Sequence, residues 1–243
     1  MKIRILLFAL LLIDCFILKA QGPFLEFGLG TKYDVFKIKQ SENTFQRNFD
    51  FGATAFISYG RPFINTKVYC ELGLATNNYK INFKINGPSG TVYSQRELVS
   101  VMRSNRLFFN IAHLSKKISP KVLWVNTFGI SLLIGAKNPY DVILQRSKSI
   151  ETDSGSRNVD VKIKTFGLTG SALLVGASTK LYYQMSKDFK LVANLGFIAG
   201  MGELTRIEVD YVFDSAPNYK KAVFTTNGFA PMFTLGVNYR WGE

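Results

Sequence analysis

The sequence predicts an all-β fold, a transmembrane antiparallel up-and-down β-barrel with eight strands, on three observations. The final segment, residues 228–241, alternates between apolar and small or polar side chains and ends on the aromatic Trp241, as a strand between lipid and a polar interior requires. The chain is 47% hydrophobic, yet Gly, Ser, Thr or Asn interrupt its most apolar stretches after residue 20 (166–178 and 191–202), which suits strands better than a helix. The links between strand candidates alternate in length. Ten strands are the alternative count.

The first twenty residues have the composition of a secretory signal peptide. Lys2 and Arg4 are basic, the segment 5–18 is apolar apart from Asp14 and Cys15, and Ala20 is a small residue at the cleavage position. A transmembrane anchor is the rival interpretation, but the apolar run is shorter than the ~20 residues that a bilayer requires. We therefore expect residues 1–20 to be a cleaved signal peptide and residues 21–243 to form the barrel domain.

Strand lengths and links predict how the barrel is oriented. Strands are expected near residues 24–36, 48–60, 67–84, 97–116, 121–136, 161–185, 189–213 and 228–241. The links after the second, fourth and sixth strands are short, and the others are long and polar. This alternation predicts short periplasmic turns, long outer loops and both termini in the periplasm of a Gram-negative cell. Because the middle strands exceed the ~9–11 residues that cross a bilayer, they should project above the outer surface.

Alternation also assigns side chains to the two faces of the wall. In the first strand Leu25, Phe27 and Leu29 should face lipid, while Glu26 and Lys32 should face inward. Aromatic side chains should form belts at both interfaces. The periplasmic belt is expected to contain Tyr59, Phe63, Trp124, Tyr182, Tyr183, Tyr239 and Trp241, and the outer belt Tyr33, Phe49, Tyr79, Tyr140, Tyr211 and Phe229.

Charge and composition narrow the classes of partner. The formal charge is +13, and removing the leader, with three basic residues and one acidic residue, leaves +11. The basic residues form no run of five, so nucleic acid is not the expected partner; outer-membrane lipid and lipopolysaccharide are the anions that an exported chain meets. Only Cys70 follows the leader and the chain has a single His, which argues against a disulfide, a zinc site or another cofactor.

At this point the chain resembles a known group. Its leader ends in Ala20-Gln21 and its closing strand reads Phe-Thr-Leu-Gly-Val-Asn-Tyr-Arg-Trp over residues 233–241. With eight predicted strands, this is similar to small outer-membrane barrels of the OmpA/OmpX type and, more narrowly, to the PorT-like outer membrane beta-barrel family of Bacteroidota. The narrower resemblance implies an accessory role in protein export or surface assembly.

Several charged residues should point into the lumen. Glu26 and Arg240 lie near the periplasmic ends of the first and last strands, which become neighbours when the barrel closes, and Glu71 and Lys190 lie at similar depth. An eight-stranded barrel is just wide enough for side chains to fill its interior. We therefore expect a lumenal salt-bridge network of Glu26, Glu71, Lys190 and Arg240, with a proton or ion path as the alternative.

One set of residues could carry catalysis. His113 and Ser115 share the outward face of a strand, and a hairpin turn at Ser119-Pro120 would place Asn126 opposite His113. This set looks like the arrangement of outer-membrane phospholipases and lipid A deacylases, in which an oriented imidazole takes the serine proton. The competing interpretation is that these are polar residues at the inner headgroup boundary, because the predicted topology places them at the periplasmic end.

Three classes of function follow. The leading hypothesis is a non-catalytic outer-membrane barrel whose projecting strands and outer loops bind an envelope protein, as an accessory of export or surface assembly. The alternative is a lipid hydrolase built on His113, Ser115 and Asn126. A small-solute channel is third.

Overall fold

The computed structural model describes residues 22–40, 45–48, 51–62, 67–76, 79–86, 92–93, 99–102, 104–134, 144–152, 155–166, 171–213 and 218–241. Its strands are β1 (Phe24–Lys32), β2 (Lys37–Gln40), β3 (Phe45–Asn48), β4 (Gly52–Pro62), β5 (Val68–Thr76), β6 (Tyr79–Asn86), β7 (Val92–Tyr93), β8 (Val99–Met102), β9 (Asn105–Ser119), β10 (Val122–Ile134), β11 (Leu144–Thr152), β12 (Gly155–Phe166), β13 (Ser171–Gln184), β14 (Phe189–Gly200), β15 (Thr205–Phe213), β16 (Lys220–Thr226) and β17 (Ala230–Arg240). The predicted signal peptide, residues 1–20, lies outside the described residues.

Eight strands form a closed barrel, which confirms the predicted fold class. Their order around the wall is β1-β17-β14-β13-β10-β9-β5-β4, and every neighbouring pair is antiparallel. The barrel closes where β1 pairs with β17, with Phe24 opposite Arg240 and Lys32 opposite Met232. All short turns and the described ends of the chain therefore lie at one end of the barrel, and all long links lie at the other.

The barrel wall carries apolar side chains outside and polar side chains inside. In β1 the outward Leu25, Phe27 and Leu29 are exposed, whereas Glu26 and Lys32 are buried, as the alternation predicts. Aromatic side chains mark both edges of the apolar band. Phe229 and Tyr239 lie ten residues apart on the same face, which at about 3.3 Å per residue and a tilt of about 40° gives a height of about 25 Å. That height matches the apolar band of outer-membrane barrels, which is also about 25 Å.

At the edge of this band that lies opposite the short turns, the wall divides into two groups of strands. The order of the strands around the wall stays the same. The chain continues from β1, β17, β14, β13 and β10 into β2, β16, β15, β12 and β11, and these form one five-stranded sheet in that same order. The continuations of β4, β5 and β9 are β3, β6 and β8; β6 pairs with β3, β7 and β8. We call the first group the outer sheet. Its strands belong to the long links, so it lies at the end opposite the short turns.

A hydrophobic core closes the space beneath the outer sheet. The buried residues of this core, which we call the outer core, are Phe36, Phe45, Val161, Ile163, Ile207, Val209, Tyr211, Ala222 and Phe224. Phe45 belongs to β3, and its ring packs edge-on against Tyr211 and Phe224 of the outer sheet at centroid distances of 4.9 and 5.8 Å. The Gln40 side chain joins the two groups by donating to the Phe45 carbonyl and accepting from its amide. The projecting strands thus form a packed structure of their own.

The predicted continuous strand over residues 189–213 is wrong. Residues 201–204 are not in a strand, and they separate β14 from β15. This break shifts the alternation by one residue: Leu195 and Phe197 face outward in β14, whereas Ile207 and Val209 face the outer core in β15. The predicted strand over 161–185 is likewise two strands, β12 and β13, with residues 167–170 outside the described part.

Two residues expected in the aromatic belts lie elsewhere. Tyr211 is buried in the outer core because of the break before β15, and Tyr182 is buried in the lumen because its neighbour Tyr183 takes the outward position. At the short-turn end Tyr239 stacks on Trp241, and Tyr59 packs near the same Trp241 ring. At the other edge Tyr33 packs against Phe51, and Phe197 against Phe229. Phe49, Phe63 and Tyr140 lie outside the described residues, and the side chain of Tyr79 is likewise outside them.

Candidate functional site

The most strongly interacting residues of the barrel interior form a buried charge cluster near the short-turn end. Lys180 of β13 places its Nζ atom 2.7 Å from Glu26 Oε1 of β1 and 2.7 Å from Glu71 Oε1 of β5. All three side chains are almost completely buried. β1 and β5 both neighbour β4, whereas β13 lies three strands away from each of them around the wall, so Lys180 bridges opposite sides of the lumen. We call Glu26, Glu71 and Lys180 the lumenal plug.

Neutral side chains complete the hydrogen bonding of the plug. The Tyr182 hydroxyl donates to Glu26 Oε2 at 2.8 Å, and Asn238 Nδ2 donates to the same oxygen at 3.1 Å. Asn110 Nδ2 donates to Glu71 Oε2 at 3.3 Å. The Tyr69 hydroxyl lies 3.4 Å from that of Tyr182 and extends the cluster towards the short turns. A buried ion pair is tolerated only when further hydrogen bonds satisfy the charged atoms in this way.

The plug lies between two small cavities. The cavity on the outer side has a volume of about 50 Å³ and is lined by Glu71, Lys180 and Asn194, among others. That volume is enough to hold ordered water, which requires roughly 10–15 Å³ or more. The cavity on the short-turn side measures about 170 Å³, and its lining includes Tyr69, Tyr182 and Asn238.

A second buried ion pair lies near the outer end of the lumen. Lys32 Nζ is 2.6 Å from Asp34 Oδ1, and both side chains are buried. Among the described residues, the buried charged side chains are three acidic and three basic: Glu26, Asp34, Glu71, Lys32, Arg106 and Lys180. The formal charges of these six side chains therefore sum to zero. The outer core covers the interior above.

The structure brings together only some of the residues that the sequence assigns to the lumenal network. Glu26 and Glu71 do meet, through Lys180. Arg240 lies opposite Phe24, and the residue opposite Glu26 on β17 is Asn238. Lys190 and Arg240 instead line the cavity on the short-turn side. The role proposed for these two in the network stays a prediction.

Sequence reasoning missed Lys180, although a signal for it was present. The segment Lys180-Leu181-Tyr182-Tyr183 alternates polar and apolar residues, and Leu181 and Tyr183 are exposed on the outer wall. Strict alternation therefore places Lys180 and Tyr182 in the lumen. The signal was hidden because the preceding residues, 171–178, are apolar or small on both faces of the strand.

The three residues of the possible catalytic set lie close together on the lipid-facing wall. Asn126 is opposite His113 in the register of β9 and β10, as the sequence predicts. Asn126 Nδ2 donates to Ser115 Oγ at 2.9 Å, and that hydroxyl donates to the His113 backbone carbonyl at 3.3 Å. Within the part of the chain that the structure describes, the His113 ring does not hydrogen-bond the Ser115 hydroxyl. The hydrogen bond through which an imidazole would take the serine proton is therefore not formed in this set.

Asn126 is held in place by other neighbours. Trp124 Nε1 donates to Asn126 Oδ1 at 3.1 Å, and the Thr179 hydroxyl donates to the same atom at 2.9 Å. An indole, an amide and hydroxyl groups joined in this way are typical of an interfacial belt, where rings sit at the headgroup level.

The described residues contain no cluster of His, Cys, Asp and Glu that could hold a metal ion. They also contain no helix that is long and apolar enough to cross a membrane.

Comparison with known proteins supports the fold. No known protein family matches the sequence, and no curated protein matches it. The outer membrane protein OprG from Pseudomonas aeruginosa is similar in structure, with a TM-score of 0.52 at 9% identity over 92% of this chain and 98% of that chain. The chain has the fold of a small outer-membrane β-barrel.

Two further solved structures are similar at lower scores. Neisserial surface protein A matches with a TM-score of 0.47 at 12% identity, over 91% of this chain and 98% of that chain. Outer membrane protein W from E. coli matches with a TM-score of 0.41 at 11% identity, over 92% of this chain and 100% of that chain. At these identities the likeness concerns the fold alone. The narrower PorT-like resemblance stays a hypothesis.

Proposed function

We propose that this chain is a non-catalytic protein of the bacterial outer membrane whose outer strands bind an envelope protein, as an accessory of protein export or surface assembly. In this proposal both termini are periplasmic. The observation that carries it is the double closure of the barrel, by the lumenal plug within the membrane and by the outer core above it. A barrel whose described interior is bridged by buried ion pairs and whose projecting strands pack on a core of their own is suited to anchor a surface structure.

The folded outer strands supply the binding surface in this proposal. Four strands of the outer sheet, β2, β12, β15 and β16, bury one face in the outer core and expose the other. Among the strands that the structure describes, β11 forms one edge of the sheet and is hydrogen-bonded on the β12 side alone. Functional residues of rigid scaffolds lie disproportionately on the segments that project from them. The outer sheet is such a projection, with a defined shape.

Photo-crosslinking in living cells tests the proposal. A photoreactive amino acid at Asp210, on the outward face of β15, or at the exposed Tyr219 should give a discrete adduct with an envelope protein. The matched control positions are Ile118 and Lys187, which are exposed at the short-turn end and should give no such adduct. Adducts only at the control positions, or none at all, would contradict the proposal.

Orientation is tested separately by cysteine labelling of intact cells. We expect Asn218→Cys to react with a membrane-impermeant maleimide from outside, and Asp188→Cys to react only after permeabilisation. The reverse result would place the short turns at the cell surface. It would also place His113 and Ser115 in the leaflet where lipopolysaccharide is found.

A direct assay separates the leading hypothesis from the lipid-hydrolase alternative. Purified folded protein in micelles, with and without calcium, should release no fatty acid from phospholipid or lipid A. Release that disappears in Ser115→Ala and in His113→Ala would overturn the non-catalytic assignment, since loss of a nucleophile or its base lowers the rate by orders of magnitude. Release that survives both changes would indicate a contaminant.

A further inference from the structure

The outward face of the outer sheet is ordered in rows by its strand register. The row nearest the membrane contains Phe166, Arg206, Thr225 and Lys37, which lie opposite one another across β12, β15, β16 and β2. The next row contains Lys164, Glu208, Val223 and Lys39. None of these eight side chains is buried. We call the eight residues the basic wall.

Positive charge is concentrated in the basic wall. It holds four basic residues and one acidic residue, Glu208, so its formal charge is +3. Glu208 is already paired twice, with Arg206 Nη2 at 2.8 Å and with Lys221 Nζ, in the next row, at 2.6 Å. That next row places Asp210 between Lys162 and Lys221 and has a formal charge of +1. The row nearest the membrane thus carries the largest formal charge, +2, and each of the two rows above it carries +1.

The basic wall is continuous with the lipid-facing surface of the barrel. The outward alternation passes without a break from β1 to β2, because Tyr33 and Val35 keep the hydrogen bonding to the β17 side through Pro231 and Phe229. Lys37 lies four residues beyond Tyr33, about 10 Å higher at the tilt of a barrel strand. Below it the rings of Tyr33 and Phe51, and of Phe197 and Phe229, form the outer edge of the apolar band. The wall therefore lies at headgroup height.

We propose that the basic wall binds the phosphate groups of a phosphorylated glycolipid in the outer leaflet, whose acyl chains lie against the apolar band below. Arginine and lysine are the side chains that recognise phosphate, through charge-assisted hydrogen bonds and as point charges. Basic residues beside a bilayer attract anionic headgroups, and the attraction falls off within a Debye length. The side chains, their charge and their height above the apolar band all match this occupant.

This inference rests on the outer-membrane location and the orientation in the proposed function, but not on the protein partner. Its test therefore uses purified full-length protein, folded in detergent micelles. Binding of bisphosphorylated lipid A is measured by native mass spectrometry and is compared with binding of enzymatically dephosphorylated lipid A. Either result can stand while the crosslinking experiment in cells fails, so the two proposals fail separately.

The test variant is Lys37→Gln, Lys39→Gln, Lys164→Gln and Arg206→Gln combined. It should weaken binding of bisphosphorylated lipid A at least tenfold, whereas dephosphorylated lipid A should bind the wild type and the variant equally weakly. The matched control removes four exposed lysines at the short-turn end, by Lys116→Gln, Lys117→Gln, Lys121→Gln and Lys187→Gln. That control should bind within twofold of the wild type. If the test variant does not fold, as judged by heat-dependent gel mobility, Lys37→Gln with Lys39→Gln takes its place with an expected loss of about threefold.

Three results would overturn the inference. The first is unchanged lipid A binding in the test variant. The second is equal loss in the control, which would mean that only total charge matters. The third is equal binding of dephosphorylated lipid A by the wild type. In the first case, loss of binding of a sulfated polysaccharide by the same variant would assign the wall to another polyanion.

Discussion

The inner and outer faces of the wall carry opposite kinds of side chain in the barrel and in the outer sheet. At membrane height the inward side chains include Glu26, Glu71 and Lys180, and the outward ones include Leu235 and Phe128. Above the apolar band the inward side chains are the phenylalanine, valine and isoleucine of the outer core, and the outward ones are the basic wall. The same strands supply both arrangements. What changes along them is the solvent outside.

This exchange between the two faces follows from the two surroundings of the wall. In lipid an apolar side chain gains nothing by turning inward, so the barrel places its polar and charged groups in the lumen, where they satisfy one another. In water burial of apolar surface is the main driving force, so the projecting strands bury theirs between the two groups of strands. The boundary between the two regimes therefore marks the edge of the membrane at the end of the barrel opposite the short turns.

The strands achieve the exchange in two ways. From β1 to β2 the alternation continues and only the residue types change, so that outward Leu29 is followed by outward Lys37. Between β16 and β17 the chain passes through Gly228, whose φ of 77° favours glycine, and the outward positions stay in phase. From β14 to β15 the residue types stay apolar, and the break at residues 201–204 moves them from outside to inside.

The largest expected effect is that of removing the cation from the lumenal plug. Lys180→Met leaves the Glu26 and Glu71 carboxylates buried without it and should lower the free energy of unfolding by about 3–5 kcal/mol. Adding Glu26→Gln and Glu71→Gln should restore most of that loss. Urea unfolding in micelles, followed by gel mobility, measures both.

Two comparisons make the plug experiment specific. Lys187→Met, in the exposed turn after β13, should change the free energy of unfolding by less than about 0.5 kcal/mol. A double-mutant cycle should show strong coupling between Glu26 and Lys180. Coupling of Glu26 with Arg240 instead would favour the network predicted from the sequence, and a neutral Lys180→Met would show that the plug does not hold the barrel closed.

A substitution in the outer core should separate the two regions. Phe224→Ala removes a fully buried ring and should destabilise the projecting strands by about 3–5 kcal/mol. The barrel below should keep its heat-dependent gel mobility, because the lumenal plug is untouched. Limited proteolysis of folded protein should then cut the projecting strands. Phe128→Ala, whose ring faces lipid and is 62% exposed, is the matched control and should leave proteolysis unchanged. Unfolding of the barrel together with the projecting strands would show that the regions are one cooperative unit.

The smallest expected effect is that of acid on the outer sheet. A hydrogen bond from Lys221, with a further one from Arg206, holds the pKa of Glu208 below its usual range. The stabilisation is complete above the pKa of the unfolded chain, about 4.3, and is lost as pH falls through the lower folded value. Since Lys221 and Arg206 are exposed to water, the effect should be small. Resistance of the projecting strands to proteolysis should fall slightly between about pH 5 and 3. Glu208→Gln should remove this dependence, and an unchanged profile would contradict it.

The sequence predicted which way side chains face where the surroundings of a strand are the same along its length. It missed the facing of side chains where those surroundings change from lipid to water. Alternation in β1 and β17 could be read directly, because one face meets lipid over the whole strand. The rule of lipid-facing apolar residues fails after Gly200, which explains why β15 and Tyr211 were assigned to the wrong environment. Lys180 was missed because small and apolar residues on both faces of β13 hide its alternation. The pairing across the lumen depends on barrel geometry, which sequence spacing does not specify.

The central claim is that the outward face changes solvent between Thr225 and Phe229, and a lysine scan along one face tests it most directly. Lysine replaces six outward residues in turn, along β16, the connection after it and β17: Val223, Thr225, Phe229, Phe233, Leu235 and Val237. The free energy of unfolding in lipid bilayers should change by less than about 0.5 kcal/mol at Val223 and Thr225. It should fall by about 2–4 kcal/mol at Phe233 and Leu235, near the midplane. A loss at Val223 as large as that at Leu235, or a flat profile along all six positions, would contradict the account.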